Sequence, residues 1–86
     1  MPVLSKFYGI VIRMVATHLL GARFYATCGD FELVVGISPL NVIQGDAPIR
    51  VREMVLAWAG QHQKELMAAW KCCEIGMPPV PIAPLP

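Results

Sequence analysis

Residues Asp46 to Gly76 read DAPIRVREMVLAWAGQHQKELMAAWKCCEIG, and the fold of this stretch decides what the rest of the chain packs against. At ~100° per residue, Val51, Val55, Trp58, His62, Leu66, Ala69 and Cys73 fall into one narrow sector of a helical wheel. Glu53, Lys64 and Lys71 gather on the opposite side, the pattern of an amphipathic helix. Asp46 offers an N-cap oxygen, and Pro48 suits a first turn. Gly76, with Pro78 and Pro79 behind it, ends the helix. The spacing predicts one long helix over 47–75. Its weak point is Gly60, which costs ~1 kcal/mol relative to alanine and invites a bend.

The same helix carries a second apolar flank. Leu56, Ala59, Met67 and Trp70 lie roughly 60–140° from the main stripe, an arc wider than one sheet can cover. Leu56, Met67 and Trp70 are therefore candidate partner-contact residues. The competing reading covers them with the chain's own tail or N-terminus.

Upstream, ARFYATC and FELVVGI flank Gly29-Asp30, two alternating runs joined by a glycine-first pair. That is a hairpin with a type II′ turn, over strands 22–28 and 31–37. With Gly29 and Asp30 in the turn, Cys28 faces Phe31, Ala26 faces Leu33 and Phe24 faces Val35. These six are apolar and should meet the helix. Thr27 with Glu32, Tyr25 with Val34 and Arg23 with Gly36 form the other face. Phe7 to Val15, FYGIVIRMV, reads as an earlier strand over 7–15. Ala16 to Gly21, carrying His18, connects the two. Ser38-Pro39 ends the third strand, and 41–44 supplies a short fourth in the larger of two strand counts. The tail over 77–86, MPPVPIAPLP, runs extended, with Val80, Ile82 and Leu85 as an apolar side; a disordered end is the alternative. The chain is one small α+β domain: an antiparallel meander of three to four strands on one long helix.

Its 86 residues are 56% hydrophobic and 15% charged. Globular averages are about 45–50% and 25%, so a domain this small has more apolar surface than it can hide. The excess predicts a covering partner, a second copy included. A membrane span is excluded on run length: Leu33 to Gly45 is the longest charge-free internal run and contains Ser38, Pro39, Asn41 and Gln44. Arg13 interrupts the apolar run that a signal peptide would need. An odd cysteine count, 3, points to free thiols in a reducing compartment. A net charge of +1 predicts no strong general attraction to nucleic acid, although Lys6, Arg13 and Arg23 stand unopposed through the first 29 residues.

Three groupings bear on chemistry. Cys72 and Cys73 point ~100° apart on a helix, and no zinc-type spacing of Cys or His occurs, so neither a metal nor a cofactor is expected. His62 lies one turn after Trp58 and three residues before Glu65. A histidine there is most often a buried residue with a hydrogen-bond partner, but Glu65 could orient it for acid–base work. Arg13, Arg23 and Tyr25 on the polar hairpin face could grip a phosphodiester or a partner's carboxylates. The plain reading of that face is an ordinary solvated surface.

The opening MPVLSKFYGIVIRM, the helix segment LAWAGQHQKELMAAW and the closing PIAPL together resemble the bacterial family named domain of unknown function 4160. In that family a Trp, a His, a Glu-Leu pair and a second Trp punctuate the long helix; here they are Trp58, His62, Glu65-Leu66 and Trp70. The family's Pro-Pro-His-Phe-His-Ala is replaced by LGARFYA over Leu20 to Ala26, so Arg23 and Tyr25 stand where two histidines would. The resemblance implies a small cytoplasmic protein encoded beside a second one of the domain of unknown function 2442 type. Such pairs resemble type II toxin–antitoxin modules, with this family as the toxin. The leading expectation is thus a toxin-like component neutralised by protein contact. A noncatalytic nucleic-acid-binding module using the basic hairpin face is the alternative, and an RNA-cleaving enzyme using His62 a third.

Overall fold

A computed structural model describes residues 1–17 and 21–86 of the chain. The glycine-first hairpin folds in the predicted register. Arg23–Cys28 pairs with Phe31–Ile37, with Cys28 opposite Phe31, Ala26 opposite Leu33 and Phe24 opposite Val35. Gly29 has φ +58°, as the first central residue of a type II′ turn requires.

The predicted strand over 7–15 is instead a hairpin. Val3–Phe7 (β1) and Ile10–Arg13 (β2) pair antiparallel around Tyr8 and Gly9, whose φ angles are +50° and +78°. Two consecutive positive φ values make a type I′ turn, which matches strand twist. Tyrosine is a strand former, so Tyr8-Gly9 carries a weaker turn signal than Asn-Gly would. Ile10, Ile12 and Met14 do share one fully buried face, whereas Tyr8 stands 60% exposed.

Arg23–Cys28 and Phe31–Ile37 are β3 and β4, and Leu40–Asp46 is β5, longer than the expected 41–44. The five strands form one antiparallel sheet in sequence order. Along β5, Val35 faces Val42 while Val34 faces Gln44, so Ile43 is an extra residue in a bulge. Just beyond it Gly45 adopts φ +95°, where a Cβ would lie 2.1 Å from the Glu32 carbonyl oxygen. The two margins of the sheet differ. On the β1 side, Ile82 of the proline-rich tail donates its N–H to the Leu4 carbonyl at 2.8 Å. On the other side, β5 from Ile43 to Asp46 is exposed.

The long helix divides in two. Ile49–Gln61 (α1) and Gln63–Glu74 (α2) meet at His62, which has φ −125° and ψ +24°. The His62 N–H reaches Ala59 O at 3.1 Å, and Leu66 N–H restarts the helical ladder on His62 O at 2.9 Å. The break has a packing reason. On a straight helix Trp58 and Trp70 would lie ~120° apart, yet Trp58 is 0% and Trp70 6% exposed. Re-aiming α2 brings both indoles into one core, and the Gln63 side chain holds the new direction by donating to Ile37 O at 2.8 Å.

Asp46 does not cap α1. It closes β5, its carboxylate accepting the Ala47 N–H at 2.9 Å, and Pro48 occupies the cap position. The far end is as expected. Gly76 has φ +74°, Met77 N–H bonds Cys72 O, and Gly76 N–H bonds Cys73 O, a complete Schellman stop.

The helices cover the sheet face formed by Ile10, Ile12, Phe24, Ala26, Leu33 and Val35. Trp58 is central, its ring 5.4 Å from Phe7 and 5.8 Å, edge-on, from Phe24. Phe31 belongs to the same predicted face, but at the hairpin tip it is 46% exposed. The tail is ordered against the domain: Ile82 is buried, Leu85 packs on the core, and Val80 points outward.

Candidate functional site

His62 owes its position to the helix break. With its backbone out of helical geometry, its ring rests against Trp58, centroids 5.5 Å apart, and Nδ1 lies 2.6 Å from Glu65 Oε1. An ionised carboxylate only accepts, so Nδ1–H is the donor in this pair. The imidazole side chain is 16% exposed and the carboxylate 53%. The pair lines an open concavity made by Gly60 to Glu65. The predicted pairing of His62 with Glu65 is therefore formed.

The predicted basic trio is not a single solvated surface. Arg13 is half-buried, its Nη1 donating to Thr27 Oγ1 at 3.3 Å, and Tyr25 is half-buried beside it in the register. Arg23 is 3% exposed. Its Nη1 donates to Gly21 O at 3.0 Å and its Nη2 to Thr17 Oγ1. The guanidinium carbon stands 5.8 Å from the centroids of both the Tyr25 and Trp70 rings. Alternation along β3 places Arg23 on the polar face correctly, but tertiary packing encloses it. His18 and Leu20 of the predicted connection lie outside the described residues.

The helix flank expected to meet a partner turns inward. Trp70 is buried in the core, and Leu56 and Met67 are half-buried against it, so the chain covers part of its own flank. Exposed apolar side chains gather at two places: Ile75, Met77 and Val80 around the helix end and tail, and a second set at one end of the sheet. Tyr8 and Phe31, on or beside the two hairpin turns at one end of the sheet, are 60% and 46% exposed. Ile49, three residues after the end of β5 at that same end, is 73% exposed. Sequence reading missed this end because each residue belongs to a different element. The clue was Tyr8 beside a glycine, since a large aromatic in a tight turn has little of its own chain to lie on.

Cys28, Cys72 and Cys73 are free thiols. Burial, and then the neighbouring Cys72, pushes the Cys73 thiol above its ordinary pKa. Among the described residues, no three His, Cys, Asp or Glu side chains come together as a metal site. No helix among them is long and apolar enough to cross a membrane.

Comparison with known proteins gives one family. No curated protein and no solved structure matches the chain. The family model described as domain of unknown function (DUF4160) matches residues 9–71, a span from the first turn through the helix break to Lys71. That span covers 63 of the 86 residues and holds Trp58, His62, Glu65 and Trp70, so the chain belongs to the domain of unknown function 4160 family.

Proposed function

We propose that this chain is the toxin-like member of a bacterial type II toxin–antitoxin module, neutralised by direct contact with a small protein of the domain of unknown function 2442 type. The observation that carries this reading is the apolar end of the sheet formed by Tyr8, Phe31 and Ile49. Exposed apolar side chains gathered from three elements are the usual composition of a contact core, and aromatic residues anchor such contacts. The partner surface is thus moved from the helix flank to the hairpin tips. Induced expression in a bacterial host should arrest growth, and co-expression of the neighbouring gene should relieve the arrest. Tyr8→Asp with Phe31→Asp should leave arrest intact while abolishing relief. Absence of arrest in the unsubstituted protein would remove the reading.

The contact between His62 and Glu65 at 2.6 Å favours a second reading, an RNA-cleaving enzyme. In it Glu65 orients the imidazole, and Nε2 takes the proton from a ribose 2′-hydroxyl as that oxygen attacks the adjacent phosphorus and the P–O5′ bond breaks, the 5′-oxygen leaving with a proton from water. Loss of RNA degradation in His62→Ala and in Glu65→Gln, with circular dichroism unchanged, is the expected result. A noncatalytic nucleic-acid module has less support, because Arg23, one of its two arginines, is enclosed.

A further inference from the structure

We propose that the sheet face turned away from the helices pairs with the same face of a second copy of this chain, about a two-fold axis running along β3. Strand pairing sets the side chains of this face in rows. One row crosses the sheet as Lys6, Val11, Thr27, Glu32 and Asp46, and the next as Arg13, Tyr25, Val34 and Gln44. Both cations of these rows stand on β1 and β2, and both acids on β4 and β5. Between them the face is apolar or weakly polar. Ile43, 42% exposed, adds to it by leaning over Gly36, its Cδ1 3.3 Å from where a Cβ would stand. Lys6, Glu32 and Asp46 are exposed, while Val11, Arg13, Tyr25 and Thr27 are half-buried.

One chain leaves this charge pattern unmatched. Among the described residues Lys6, Arg13 and Glu32 join no ion pair, and Asp46 meets only Arg52, at 3.5 Å with its side chain 90% exposed. Symmetry then selects the occupant. A two-fold axis along β3 lays β1 over β5 of the second copy and β2 over its β4, with strands aligned as in a β-sandwich. Lys6 falls opposite Asp46 and beside Glu32 of that copy. Arg13 falls opposite Val34, two residues or ~7 Å along the strand from Glu32, a distance that an arginine side chain spans. Tyr25 meets its own counterpart at the axis. Turned instead about an axis across the strands, the copies would set Lys6 on Lys6. Of the two ways to stack this face on itself, one matches charges and the other opposes them. The charged row is four strand spacings wide, ~19 Å, so the contact is at the small end of specific interfaces and reversible, with a strength that falls as salt rises. This pairing does not depend on the toxin reading.

The test is sedimentation equilibrium of the full chain at low and high salt. The unsubstituted protein should reach a dimer and no further, and salt should weaken it. Lys6→Glu and Glu32→Lys, both at exposed positions, should each raise the dissociation constant at least about tenfold, because each sets like charges opposite one another. Mixed in equal amounts, the two variants should pair with each other, since one then carries two acids where the other carries two bases. Lys71→Glu, on the exposed side of α2, should leave association unchanged. A monomer at every concentration overturns the proposal, whether or not the neighbouring gene's protein then covers the face. So does a dimer indifferent to both reversals, which would put the contact at the β5 edge or the hairpin tips.

Discussion

The indole Nε1–H of Trp58 donates to the Ala83 carbonyl at 2.8 Å, a bond between the C-terminal part of α1 and the proline-rich tail. Together with Ile82 N–H on Leu4 O, it fastens the tail over a fully buried indole. The tail has no internal ladder; among the described residues these two bonds, the burial of Ile82 and the packing of Leu85 hold it. Ile82→Ala should lower stability by about 2–4 kcal/mol in chemical denaturation. Removing residues 79–86 should cost more and shift tryptophan emission to the red. Emission unchanged after the deletion would mean that the tail does not shield Trp58.

Two glycines predict opposite outcomes. Gly45 combines φ +95° with a backbone oxygen 2.1 Å from the site of any Cβ, so Gly45→Ala should destabilise by more than ~2 kcal/mol. Gly60 lies in α1 with only a flexible Leu40 methyl 3.8 Å away. Gly60→Ala should stabilise by about 0.5–1 kcal/mol, because alanine is the better helix former. Urea midpoints of the two variants check both signs at once.

Tyr8 holds φ +50° on an exposed turn, a conformation that asparagine or glycine accepts more readily. Tyr8→Asn should therefore raise stability by a few tenths of a kcal/mol to ~1 kcal/mol. If Tyr8 anchors the partner, the same variant should bind it at least tenfold more weakly in calorimetry. A more stable protein that binds less well separates contact from folding.

Cys73 titrates above its ordinary value because burial, and then Cys72, disfavours the thiolate. At pH 8 it should therefore react with iodoacetamide more slowly than Cys72, as peptide mass spectrometry would record. The folded state holds this proton more tightly than the unfolded state. Its contribution to stability is accordingly full below the unfolded thiol pKa and lost as pH rises through the folded one. Alkaline titration of Cys73→Ser should show a smaller decline over that window.

What alternation along single strands can determine, the sequence made legible. The β3–β4 register followed from apolar pairing because a slip of one residue would mix buried and exposed sets. The Schellman stop followed from Gly76 and the prolines after it. Features set by distant contacts were hidden. The break at His62 depends on Gln63 reaching Ile37 and on two indoles sharing one core, neither of which helical spacing encodes. Likewise the pairing of His62 with Glu65 is local and was readable, while the enclosure of Arg23 depends on Gly21, Thr17 and Trp70, which alternation cannot see. Tyr8-Gly9 failed for another reason: its residue types favour a strand, and the turn is won by pairing Phe7 with Ile10.

The unequal margins of the sheet limit how copies of this protein can join through their backbones. A ladder that grows into a fibre needs every unit to offer two open sides, so that each newcomer leaves a fresh end behind it. Here Ile82 occupies the side at Leu4, while among the described residues no strand pairs with the outer side of β5. Two molecules meeting through β5 would each present a tail outward, and recruitment would stop at a pair.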